Sequence, residues 1–270
     1  MKVAAIQMVS APRVQDNLDA ARDLLEEAAG AGAELVALPE FFCLIAKGNA
    51  DKLAIREAPG DGPIQRFLAQ CARDFKLWVV GGTVPLFTPR GDPTRLRSAS
   101  LVFDPSGTCV ARYDKMHLFR FDNGDERHDE TRLLDPGAAP ATFELPSRDG
   151  HTWRVGLSVC YDLRFPEFYR ALAADLLLVP SAFTVPTGRA HWELLLRARA
   201  VENLAYVLAP AQGGLHENGR RTWGHSMLVD PWGEVLAERG EGPALVCGDI
   251  DAKRLHACRE QLPALAHRLL

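Results

Sequence analysis

Three residues stand where their side chains could do covalent chemistry. Cys160 lies in RVGLSVCYDLRFPE, where a β-type run ends at Val159 and before Pro166 opens a helix. That puts it at the carboxyl end of a strand, the position from which α/β proteins present reactive groups. An arbitrary cysteine is more often a small buried apolar residue than a nucleophile. Here Tyr161, Asp162, Arg164 and Glu167 crowd polar and charged groups around it, a setting that tunes a partly accessible thiol. Glu40, in ELVALPEFF, follows a strand-like run and Pro39 and precedes two phenylalanines. If those rings pack inward, desolvation raises the carboxyl toward the range of a general base; if not, Glu40 is a helix cap or a surface acid. Lys115, in ARYDKMHLF, emerges from a strand among aromatic and apolar residues. Buried there it needs a partner, which a site developing negative charge supplies; exposed, it is a hairpin lysine.

Together the three side chains make a coherent reaction. A free thiol near pKa ~8.5 is mostly protonated at neutral pH and needs a base or a cation to supply the thiolate. Glu40 can take the proton and Lys115 can favour the anion. Attack on an amide carbonyl creates an oxyanion, for which Lys115 and a main-chain N–H after Cys160 are the donors, a role commonly worth several kcal/mol. Glu40 then returns its proton to the leaving nitrogen, and water activated by the same carboxylate hydrolyses the thioester. The residues are far apart in the chain, so only the fold can gather them.

Other constellations carry less. Eight histidines invite a Cys-His or zinc reading, but no His-Glu-x-x-His is present, and His117 and His225 read as braces of the site or the core. Gly30-Ala31-Gly32 precedes a strand instead of following one, so it is no dinucleotide fingerprint. GLSVC lacks the final glycine of a serine-hydrolase elbow. The six cysteines form no C-x-x-C pair, which argues against a zinc ribbon and for reduced thiols in a cytoplasmic protein.

The elements that must position these residues alternate along the chain. Strand-like runs occur at 3–9, 34–38, 77–84, 99–103, 110–113, 153–159, 176–180, 204–209, 226–229 and 244–250. Between them, 16–29 reads as an amphipathic helix capped by Asp16 and stopped at Gly30, and Pro63 opens a second helix. Further helices are expected over 166–174 and 188–203, the second carrying Trp192, Leu195, Leu196 and Arg199 as a core or interface stripe. Charged residues crowd 119–131, which reads as a mobile surface loop. ELVALPE echoes DLLLVPS, and LVFDPSGTCVAR echoes LVDPWGEVLAE, in the same order, with each D-P-x-G a tight turn between antiparallel strands. Two similar sheet halves flanked by helices give an α-β-β-α sandwich. No linker or composition shift divides the chain, so residues 1–270 read as a single domain.

Composition narrows the function classes. A formal charge of −4, with no basic cluster, speaks against nucleic acid as the main partner. Apolar content of 47 % and charged content of 24 % are those of a chain with a large core. No apolar run approaches the ~20 residues of a membrane span, and the N-terminal VAAIQMVSA, broken by Gln7, reads as a first strand, not a signal segment.

LPEFF, YDKMHLF and GLSVCYDLRFPE, in that order, resemble the Glu, Lys and Cys motifs of the carbon-nitrogen hydrolase (nitrilase) superfamily. AIQM near the start, HWELLLRARAVEN around Glu193 and GRRTWGHSMLVDPWG from Gly219 extend the likeness over almost the whole chain. The resemblance implies the α/β nitrilase-type sandwich of two mixed sheets packed face to face, Cys160 as nucleophile, Glu40 as general base and Lys115 as oxyanion stabiliser. It implies Glu130 as a second glutamate holding substrate and Lys115, with Glu126 the alternative, and no cofactor or metal. CYDLRFPE, SAFTVPTGRAHWE, GRRTWGHSM and QLPALAHR resemble the branch of deaminated-glutathione amidases and ω-amidases. That implies a small carboxylate-bearing amide as partner: deaminated glutathione, giving 2-oxoglutarate and cysteinylglycine, or alternatively α-ketoglutaramate. Such a substrate needs cations, and Arg164 is the first choice, unless it is a structural partner of Glu167 or Asp162. Tyr161 and Thr184 follow as substrate contacts, with Arg189 and Arg221 looser candidates. The family's habit implies a homodimer or larger even oligomer formed through helices.

Overall fold

The computed structural model describes residues 1–89 and 91–269. The first half of the chain supplies β1 (Lys2–Gln7), β2 (Leu35–Ala37), β3 (Trp78–Val80), β4 (Val84–Leu86), β5 (Arg97–Phe103) and β6 (Cys109–Asp114). A small hairpin follows, β7 (Arg120–Asp122) and β8 (Arg127–Asp129). The second half supplies β9 (Ala141–Pro146), β10 (Thr152–Leu157), β11 (Leu176–Leu178) and β12 (Tyr206–Ala209), then the ribbon β13 (Gly213–Leu215) and β14 (Arg221–Trp223). After β15 (Ser226–Val229) and β16 (Val235–Arg239), β17 (Ala244–Asp249) returns to the first sheet. The helices are α1 (Val14–Gly30), α2 (Asn49–Ala54), α3 (Pro63–Phe75), α4 (Pro166–Leu172), α5 (Val185–Asn203) and α6 (Ala252–Gln261).

The first sheet runs β17-β1-β2-β3-β5, with β4 and β6 both on β5; the second runs β9-β10-β11-β12-β15-β16. Along each, the pairings read antiparallel, parallel, parallel, antiparallel, antiparallel. The sequence echoes fall on equivalent parts: β2 with β11, and the β5–β6 turn with the β15–β16 turn. In both turns an aspartate caps its own loop, Asp104 accepting from the Ser106 and Thr108 N–H groups and Asp230 from those of Trp232 and Glu234.

The layers explain the composition of the strands. Val3, Ala5, Leu35 and Ala37 face the second sheet's Val155, Leu157, Leu176 and Leu178, whereas Ala4, Ile6, Val36 and Leu38 face α1 and α3. Strands buried on both faces need apolar side chains at every position, and for that reason these segments are continuous apolar runs. With α4 and α5 on the far side of the second sheet, the result is an α-β-β-α sandwich.

Several expectations are corrected. Helix α1 starts at Val14, and Asp16 lies in its first turn, paired with Arg13 at 2.5 Å instead of capping. Helix α5 begins at Val185, with Pro186 in its first turn. In the α5 stripe Trp192, Leu196 and Arg199 are core, the last donating Nε to the Leu163 carbonyl at 3.0 Å. The 119–131 segment, expected as a surface loop, contains the β7–β8 hairpin, with Phe119 stacked on Phe121.

Candidate active site

Each of the three chemical residues sits just beyond a strand end, held there by main-chain bonds. Cys160 follows β10 with φ +50°, a left-handed conformation unusual for a residue with a side chain, and its N–H donates to the Pro180 carbonyl at 3.0 Å. Glu40 follows β2 and precedes Phe41, also left-handed at +58°. The Phe41 N–H donates to Thr83 Oγ1 (2.9 Å), and Gln212 Nε2 reaches the Glu40 carbonyl (3.2 Å). Gly82 backs this turn at φ +51°, and a Cβ there would overlap the Pro39 carbonyl. Lys115 follows β6: its N–H donates to Ser98 O at 2.9 Å and its carbonyl accepts from Gly137 at 2.8 Å. A Cβ on Gly137 would overlap the Asp114 carbonyl, so the glycine is what lets this crossing approach.

Lys115 and Glu40 are almost wholly buried, each 1 % exposed. Lys115 Nζ donates to Glu40 Oε1 at 2.8 Å and to Glu130 at 2.8–2.9 Å, and Glu130 Oε2 also accepts the Phe119 N–H at 2.8 Å. Burial alone would push the Lys115 ammonium down, but Glu130 and Glu40 outweigh it and hold it well above the usual lysine range. For Cys160, burial and the Glu40 charge push the thiol well above its ordinary value, against the opposing pull of Lys115. The resting cysteine is therefore a thiol, beside a carboxylate and a fixed cation.

Asp162, fully buried, ties the turn together. It accepts from Val159 N–H (2.8 Å), Tyr113 Oη (2.7 Å), His117 N–H (3.1 Å) and His117 Nδ1 (2.6 Å). The His117 ring stacks on Phe165, centroids 3.7 Å apart, and so braces the site. His225 belongs elsewhere: it pairs with Glu238 at 2.6 Å, and its carbonyl receives the Trp192 indole N–H.

Of the expected second glutamates, Glu130 reaches Lys115, while Glu126 lies 3.7 Å from His128. Arg164, Tyr161 and Thr184 line one small recess with Cys160. Arg164 pairs with neither Glu167 nor Asp162; it lies 3.3 Å from His191 Nδ1 and over the rings of Tyr161 and Phe183. The Thr184 hydroxyl is bonded to that of Thr187 at 2.8 Å. Arg189 lies over Trp223 and Arg221 pairs with Glu241, both outside the Cys160 recesses. Sequence reading missed Lys52 and Arg220, which line a second recess of about 220 Å³ with Cys160, Glu40 and Glu130. Nothing in local pattern separates Arg220 from its neighbour Arg221; only the β13–β14 ribbon turns one inward.

A two-sheet sandwich that gathers a carboxylate, an ammonium and a thiol at adjoining strand ends defines a class of hydrolase. The carbon-nitrogen hydrolase family model matches residues 2–260, and the chain belongs to that family. It is 39 % identical over 98 % of its length to the deaminated glutathione amidase of Synechocystis, covering 97 % of that protein. It is 36 % identical over 99 % of its length to a human omega-amidase, covering 94 %. Among solved structures the NitFhit protein of C. elegans superposes with a TM-score of 0.88 at 36 % identity, over 99 % of this chain and 65 % of that one. The protein is accordingly a hydrolase of carbon–nitrogen bonds in amides.

Proposed function

We propose that Cys160 is the nucleophile of a thioester mechanism, with Glu40 as its base and Lys115 as the oxyanion stabiliser. The observation that carries this reading is the Lys115 ammonium fixed between buried Glu40 and Glu130 beside a buried thiol. As the sulfur attacks the amide carbonyl, its proton passes to Glu40, whose Oε1 is engaged by Lys115, leaving the other oxygen to receive it. Lys115 and the Tyr161 N–H, in the first turn of a 3-10 helix where main-chain donors lack an internal partner, receive the oxyanion. The C–N bond then breaks as Glu40 protonates the nitrogen, releasing the amine and leaving a thioester on Cys160. Water, giving its proton to Glu40, hydrolyses the thioester to the free acid and the thiol. Glu130 acts as a positioning residue, joining Lys115 to the Phe119 main chain.

The substrate in this reading is deaminated glutathione, cleaved to 2-oxoglutarate and cysteinylglycine. The likeness to deaminated glutathione amidases supports it, as does Arg164 in the recess beside Cys160, where a guanidinium can grip a carboxylate. Release of 2-oxoglutarate from deaminated glutathione and from α-ketoglutaramate, in wild type and Cys160→Ala, tests it. A preference for the first that is lost in the variant supports the reading; a preference for the second replaces it with an ω-amidase.

The same reading places the enzyme in the cytoplasm, in keeping with six cysteines that are all free. It also makes the enzyme a homodimer or larger even assembly. The outer face of α5 exposes Leu194 and Val201, and the β15–β16 turn, held to α5 by Arg197 Nε donating to Gly233 O at 2.9 Å, adds exposed Trp232. An apolar patch of this kind is the usual mark of an interface.

A further inference from the structure

Cys160 lies on the boundary of two recesses of different character. One holds Arg164 and Thr184 but neither Glu40 nor Glu130. The other holds both glutamates and, facing them, Lys52, Arg127 and Arg220, and it continues past these cations into a further space of about 360 Å³ that reaches Asn218. The leaving side of a scissile amide can be assigned to the second of these spaces. The leaving nitrogen must face the carboxyl that protonates it, and Glu40 lines only the second recess, so the amine departs on the side of Lys52 and Arg220.

Neither Lys52 nor Arg220 forms an ion pair among the described residues. Among the described residues no carboxylate lies within salt-bridge distance of Lys52, whose ammonium sits 4.3 Å over the Phe41 ring. Arg220 donates Nη2 to the Ala182 carbonyl at 2.8 Å, but its Nε is buried with no partner among the described residues. A buried guanidinium N–H left unpaired is costly, and such a group in a cavity is met by whatever enters it. Burial and the facing Arg220 push the Lys52 ammonium below its ordinary range, outweighing the opposing pull of Glu130 and Glu40. The acids of this recess are engaged elsewhere: Glu40 and Glu130 on Lys115, Asp129 on the Thr131 N–H and hydroxyl. Arg127 stands at the mouth, largely exposed and only loosely paired with Asp122 at 3.7 Å.

We infer that Lys52 and Arg220 form an anion subsite for a carboxylate carried by the departing amine, so that the enzyme is built to release an amino acid or small peptide instead of ammonia. This rests on the Cys160 mechanism proposed above and deepens it: an amidase releasing ammonia has no use for cations on that side, whereas a peptide amine presents its own terminal carboxylate there.

The test compares deaminated glutathione with its glycine carboxamide, which differs only in lacking the terminal negative charge. Wild type is expected to favour the carboxylate by at least about tenfold in kcat/KM, and Arg220→Gln and Lys52→Met to bring that ratio to within about threefold of one. Equal rates in wild type, or a ratio unchanged in both variants, overturn the subsite. If wild type hydrolyses neither compound, the substrate reading fails while the subsite is still decided by labelling Cys160, followed by mass spectrometry, with iodoacetamide and with N-iodoacetylglycine. Faster labelling by the anionic reagent, lost in Arg220→Gln, supports it. No advantage, or an advantage lost only in Arg164→Gln, overturns it.

Discussion

At the scale of the residue, the proposed chemistry turns on which group takes the Cys160 proton. His128 is the one histidine lining the Cys160 recess among the described residues, and burial pushes it below its ordinary range. A Cys-His mechanism would give it the proton. We expect His128→Gln to retain turnover within about tenfold and Glu40→Gln to lose about 10²–10⁴-fold, measured as kcat on the preferred amide. The pH dependence has a definite sign. Burial and the Glu40 charge disfavour the thiolate, so the folded thiol titrates above a free cysteine and the thiolate fraction is small at neutral pH. Labelling of Cys160 by iodoacetamide should therefore keep rising through pH ~8.5 without a plateau. In Glu40→Gln one of the upward causes is gone, and the rise should move to lower pH even as turnover is lost. Asp162 is expected to matter as a positioning residue. In Asp162→Asn an amide meets four donors that a carboxylate satisfied, at a cost of about 1–3 kcal/mol in urea unfolding, with kcat falling more than KM rises. Cys160, Glu40 and Lys115 were legible in the sequence because each sits in a motif at a strand end. Lys52 and Arg220 were not, because their meaning depends on which cavity wall they reach.

At the scale of the element, strand ends do the positioning and two glycines permit it. Gly137→Ala would drive a methyl into the Asp114 carbonyl and shift the strand end that carries Lys115. A displacement near 1 Å at a reacting group can cost about 10²-fold, and that is the expected fall in kcat, with secondary structure retained by circular dichroism. The strands were readable because burial on both faces makes them unbroken apolar runs, and α1 and α3 because their apolar faces are strongly periodic. Helices α2 and α6 escaped: α2 has only six residues and buries none, and α6 buries only Leu255 and Cys258. The β7–β8 hairpin, exposed and rich in charge, gives no apolar alternation from which to read a strand.

At the scale of the whole molecule, the chain repeats one sheet order twice and builds its site between the copies. Glu40 and Lys115 come from the first sheet and Cys160 from the second, and Gln212 and Gln7 bond across the halves, Gln212 to Glu40 and Ser10 and Gln7 to the Ser226 N–H and the Gly242 carbonyl. The reactive geometry therefore depends on the sheets packing face to face. The α5 surface should join two such molecules. Leu194, 67 % exposed on the outer face of α5, is the probe: Leu194→Glu is expected to convert an oligomer to the 29.6 kDa monomer in sedimentation velocity. A wild-type chain already monomeric would remove that part of the account. The most direct test of the chemistry is acid quenching of the wild-type enzyme during turnover, followed by peptide mass spectrometry. The expected result is an acyl group of the substrate's acid portion, labile to hydroxylamine, on the peptide that contains Cys160. An acyl group on any other residue, or undiminished turnover by Cys160→Ala, would contradict the thioester mechanism.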